Sequence, residues 1–142
     1  MMATVFQASF VLVAPFWLLM ILAPGWRVTR RVAGSAWIAA PAALLYLVLV
    51  VPDLPGVLAA VASPELETIA ALLAMPAGAT VAWVHFLAFD LFVGRWIYLD
   101  ARSRNMPPWL SSPLLLLTLM LGPTGLVGHL LARMRYDRAS DR

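Results

Sequence analysis

Two long stretches at the start of this chain carry no charged side chain at all: residues 1–26 and residues 32–52. Each can hold a helix of about 20 apolar residues, the length that crosses the hydrocarbon core of a bilayer. The 142 residues are 63% hydrophobic, and the mean hydropathy is +0.88. A water-soluble domain of this size needs a far more polar surface. The chain is therefore predicted to be an all-α membrane protein, a single domain built as a four-transmembrane-helix bundle.

The first span is predicted at residues 5–22. Pro15 inside it should kink the helix unless neighbours satisfy the freed carbonyl. Pro24-Gly25 ends it, and Trp26 suits the interface. A signal peptide would place its positive charges before the apolar run, whereas Arg27, Arg30 and Arg31 follow it. The second span is predicted at residues 37–51, with Pro52 as its stop. Residues 54–75 do not read as a crossing, because Ser63-Pro64-Glu65-Leu66-Glu67 lies in their middle. Ser63 suits an N-cap, Pro64 the first helical position, and Glu65 and Glu67 the first turn. An additional interfacial or re-entrant helix is predicted at about 63–75. The third span is predicted at 79–99 and the fourth at 113–132, bent at Gly122-Pro123-Thr124-Gly125. With four spans, the first six arginines share one side and the tail arginines the other, and the first side is favoured as cytoplasmic. A fifth crossing through residues 54–75 would bring the two sets together.

There is no cysteine, which excludes disulfides, thiolate metal sites and thiol nucleophiles. There is no lysine, so Schiff-base chemistry is excluded as well. The arginines lie beside the apolar blocks as topology markers, and no basic, aromatic-interleaved patch suggests a nucleic-acid partner.

The chemistry concentrates in one span. AWVHFLAFDLFVGRWIYLDA, residues 82–101, carries His85, Asp90 and Arg95. An isolated aspartate near mid-membrane costs ~2.5–3.5 kcal/mol on insertion scales, so Asp90 should face the bundle interior. At about 100° per residue, His85 and Asp90 point about 140° apart, as do Asp90 and Arg95. A partner for Asp90 must come from another helix or from Arg95 folding back. A neutral acid in a dry pocket can donate a proton. Four-span topology brings His85, His129 and the Glu65/Glu67 segment to one side of the membrane. Two histidines and a carboxylate in one layer could move protons or bind a metal. No dense motif such as HxxxH is present, and no metal ligand is assigned.

Each of these residues also has a plain structural role open to it. A membrane histidine can be a hydrogen-bonded packing residue, Arg95 a snorkelling anchor, and Glu65 and Glu67 first-turn helix charges. Phe89, Phe92 and Trp96 follow helical spacing, which fits packing. In a membrane they could also line a groove for a long planar apolar molecule, with Gly94 allowing close approach.

HFLAFDLFVGRWIYLD, residues 85–100, resembles the signature of the neoxanthin synthase (abscisic-acid-deficient four)-like family of small integral membrane proteins. PFWLLMILAPGWR, SPELETIAALL and GPTGLVGH resemble its first, middle and last segments, so the resemblance covers nearly the whole chain. The resemblance implies a carotenoid or related isoprenoid lipid as ligand. It also implies an isomerisation in which an epoxide opens and an allene forms, with an acid at the oxygen, a base for a proton and no redox cofactor in principle. Carried over by position, Asp90 would be the acid and His85 or His129 the base. Arg95, Trp83, Phe89, Trp96, Glu65 and Glu67 would contact substrate. The absence of a plastid transit peptide and the Ala-, Leu- and Arg-rich, lysine-free composition suggest a bacterial plasma-membrane protein. A non-catalytic pigment- or lipid-binding protein, or an accessory subunit of a membrane complex, is the alternative. Membrane lipid and a second copy or another membrane protein are the expected partners.

Overall fold

The computed structural model describes residues 1–140, with side chains through residue 136. The described residues are helical, with turns and short links. The elements are α1 (Met2–Leu22), α2 (Arg27–Gly34), a 3-10 turn (Ala36–Ala39), α3 (Ala40–Val50), a second 3-10 turn (Val51–Asp53), α4 (Leu54–Ala62), α5 (Leu66–Ala74), α6 (Pro76–Ser103), α7 (Pro108–Met120) and α8 (Gly122–Ser140). Three stretches are long and apolar enough to cross a membrane: Met2–Leu22, Ala36–Ala62 and Pro76–Ser103. Helix α1 continues through Pro15 as one element.

Three sequence expectations are corrected. Helix α3 does end at Val50, next to Pro52, but the apolar stretch does not end there and runs on through a 3-10 turn and α4 to Ala62. Pro52 sits at the start of a 3-10 turn and Pro55 at the start of α4, where a missing N–H costs nothing. Ser63 is not an N-cap: it closes α4, its N–H donating to Ala59 O. Helix α5 starts later, at Leu66, with Glu65 in the cap position and no side-chain cap bond.

The third correction concerns the expected fourth span, residues 113–132. It is two helices, broken at Leu121 (φ −143°, ψ 64°). In a straight helix, residues 114 and 128 would lie about 21 Å apart. Instead, a Cβ added to Gly128 would stand 3.0 Å from Leu114 Cδ2, and one added to Gly125 would run into the Thr118 backbone. Helices α7 and α8 therefore form an antiparallel hairpin. Only a residue without a side chain allows the two backbones to approach so closely at position 125.

The chain divides into two compact units. One comprises residues 1–13 and 40–88, the other residues 14–39 and 89 onward. The second unit closes on Trp17, which is fully buried with its ring against Gly94. Carbonyls left open at the end of α1 are taken up by side chains: Tyr98 Oη donates to Pro24 O at 2.7 Å and Ser112 Oγ to Ile21 O at 2.8 Å. Helix α6 ends in a Schellman motif. Asn105 adopts φ 53°, its N–H donates to Arg102 O, and the Met106 N–H donates to Ala101 O.

Candidate functional site

The first unit contains a cavity of about 500 Å³. Val57 and Val61 from α4 and Ile69 and Leu72 from α5 supply apolar wall. These helices carry almost no polar side chain, so their facing surfaces can only make an oily chamber. Three polar groups border it: His85 from α6, Tyr46 from α3 and Asp53 from the turn before α4. The Tyr46 and His85 rings meet edge-on, with centroids 5.4 Å apart at 61°. Phe86 flanks the imidazole at 6.2 Å. A mostly apolar chamber with a few convergent polar groups is the usual form of a small-molecule site. An imidazole, a phenol and a carboxyl can between them give and accept protons.

Trp83 and the two glutamates do not border this cavity. Trp83 stacks on Phe6, with centroids 5.1 Å apart, and its indole N–H is buried without a partner. Glu65 and Glu67 are exposed.

In the second unit the polar groups gather around Asp100. Its Oδ2 accepts from His129 Nε2 at 2.8 Å and from Arg104 Nε at 3.0 Å, while Arg133 Nη1 lies 3.6 Å from Oδ1. A carboxylate can only accept, so His129 Nε2 carries the proton. His129 is fully buried, and its Nδ1 lacks a partner. The Trp96 ring stands edge-on to His129 at 5.5 Å, and the Arg133 guanidinium lies over Trp96 at 5.6 Å.

The expected layer of two histidines and a carboxylate does not form. His129 is bound to Asp100, fifteen residues beyond His85 on α6, or about 22 Å of helix rise. The hairpin is the reason. A straight fourth span would carry residue 129 to the far side of the membrane, whereas α8 returns it to the end of α6. Among the described residues no group of three or more histidines or carboxylates gathers as a metal set.

Asp90 is half-buried and faces the hairpin tip, where a Cβ on Gly122 would overlap its carboxylate. That contact with Gly122 is steric and supplies no hydrogen-bond donor. Arg95 does not turn towards Asp90. The Arg95 Nε donates to Ser35 O at 3.1 Å and Nη2 to Gly34 O at 3.0 Å, closing the C-terminal end of α2. Phe89 and Phe92 point outward, 61% and 48% exposed.

Asp100 falls just outside the third span expected from sequence, and no sequence pattern singles out Tyr46 or Asp53. A signal for Asp100 was present: Asp100/Arg104 and His129/Arg133 are both i,i+4 pairs.

A family model described as ABA4-like, ABA DEFICIENT 4-like, matches residues 4–129. Protein ABA DEFICIENT 4, chloroplastic, of Arabidopsis thaliana is 29% identical over 137 residues, which cover 92% of this chain and 61% of that protein. The chain thus spans about three fifths of that relative's length. No solved structure matches the chain. With the family model matching residues 4–129, most of its length, the chain belongs to the ABA4-like family.

Proposed function

We propose that this chain is an integral membrane protein that takes the ring end of a carotenoid or related isoprenoid lipid into the His85 cavity and isomerises it by acid–base chemistry. The three long apolar helices cross the bilayer. The α7–α8 hairpin and α5 enter or lie along it without crossing. The observation that carries the proposal is the cavity itself, an apolar chamber of about 500 Å³ with His85, Tyr46 and Asp53 at its border. That volume suits one substituted ring and leaves a polyene tail in the lipid.

For an epoxide substrate the proton balance closes without an oxidant. An acid protonates the epoxide oxygen and the C–O bond breaks. A base removes one proton from the adjacent chain carbon, and its electron pair completes the allene. We assign the base to His85 and the acid to Asp53, assisted by the Tyr46 hydroxyl. Asp90, expected from the resemblance to be the acid, is outside the cavity lining and serves as the competing assignment. A second reading, pigment binding without turnover, is favoured by the outward aromatic face of Phe89 and Phe92.

Expression in cells that make carotenoid epoxides separates these. Wild type should yield a product of unchanged mass and new retention time, and His85→Gln should lower its rate by about 100-fold. Asp53→Asn should do likewise and Asp90→Asn should not. If wild type and His85→Gln give identical pigment profiles while a pigment co-purifies with both, the binding reading replaces the catalytic one.

A further inference from the structure

Helix α2 presents three guanidinium groups on one rigid face. Arg27, Arg30 and Arg31 fall within an arc of about 100°, and Thr29 and Ala33, on the opposite arc, are buried. The helix is fixed at both ends. Thr29 Oγ1 donates to Ala23 O at 2.7 Å, and Arg95 closes the carbonyls of Gly34 and Ser35. Arg27, Val28, Arg30 and Arg31 surround a surface recess of about 590 Å³.

Among the described residues these cations form no ion pair, and Arg30 Nη1 donates to Gly25 O at 2.6 Å. Residues 1–52 contain no acidic side chain, and the ion pairs among the described residues all involve Asp100. Arg104 and Arg133 thus have a carboxylate, while the α2 set faces outward without one. The flanking side chains place the recess at a membrane surface. Trp26 and Trp37 are 55% and 80% exposed, and exposed tryptophans of this kind sit at headgroup level. Val28, also exposed, adds an apolar contact beside the arginines.

We propose that α2 is a binding site for the phosphate headgroup of an anionic phospholipid, held by Arg27, Arg30 and Arg31. Guanidinium forks match phosphate oxygens, and each basic residue near an anionic surface strengthens attachment about fivefold. A free phosphate offers the same oxygens but gains nothing from the tryptophans and Val28, so the lipid is the occupant.

The test uses the purified full chain in mixed phosphatidylcholine–phosphatidylglycerol nanodiscs, with retained lipid measured after exchange into detergent. Wild type should retain phosphatidylglycerol preferentially. The preference should fall about tenfold or more in the triple variant R27Q/R30Q/R31Q, and should largely survive in R27K/R30K/R31K, which keeps the charge. Raising salt from about 50 mM to about 500 mM should weaken it in wild type, without any mutation that could disturb folding. Equal retention of both lipids by wild type overturns the proposal. So does an unchanged preference in the glutamine variant. Displacement of phosphatidylglycerol by inorganic phosphate overturns it in favour of a soluble anion.

Discussion

The two units of the molecule divide its charge unequally. Among the described residues every arginine lies in the unit formed by residues 14–39 and 89 onward, and the unit of residues 1–13 and 40–88 has none. In the arginine-bearing unit, polar groups answer one another. Asp100 accepts from His129 and Arg104, and Arg95 and Tyr98 cover backbone carbonyls. In the other unit, His85, Tyr46 and Asp53 border an open volume. On the proposed function the contrast separates scaffold from site: polar side chains around Asp100 hold helices together, while His85, Tyr46 and Asp53 border the chamber.

The comparison can be broken most decisively at the hairpin. Gly125→Val places a side chain against the Thr118 backbone, which cannot move aside as a rotamer can. It should cost about 3 kcal/mol or more in thermal or denaturant unfolding in micelles. Wild-type stability in that variant would mean the hairpin is not as described. Asp100→Ala comes next, because it leaves buried His129 and two arginines without their shared acceptor. A loss of about 2–3 kcal/mol is expected. Asp53→Asn in the other unit should cost less than about 1 kcal/mol while lowering turnover. Equal destabilisation by the two aspartate changes would erase the distinction between scaffold and site. Arg95→Gln removes two hydrogen bonds at a partly exposed position and should cost about 1 kcal/mol, read as a small drop in unfolding midpoint. Phe92→Ala, on the outward face, should stay within about 0.5 kcal/mol in the same measurement. A larger loss there would point to a protein partner on that face.

Much of the helical frame was legible before any coordinates. Uncharged blocks marked the first two long apolar stretches, because charge inside a span is costly whatever the fold, and apolarity and length alone marked Pro76–Ser103 despite Asp90 and Arg95. The helix ends were less legible. Pro52 reads as a stop from sequence, yet it sits comfortably at the start of a new turn, and only the local backbone distinguishes the two. The hairpin was hidden for a different reason. Residues 113–132 have the length and apolarity of a crossing, and Gly122-Pro123 signals a bend as readily as a reversal. What decides between them is contact at a distance: Gly125 on Thr118, and Gly122 on Asp90. The same gap misplaced His129. The cavity residues Tyr46 and Asp53 carry no local pattern that marks them.

The reversal at Leu121 also bears on which compartment each part of the chain meets. On the topology proposed above, with three crossings and the α7–α8 segment as a dip, the start of α1 and the end of α8 would emerge on opposite faces. Arg27, Arg102 and Arg133 then share one aqueous phase. Reporter tags fused at the two ends, one fluorescent only in the cytosol, would light up at the α8 end and stay dark at the other.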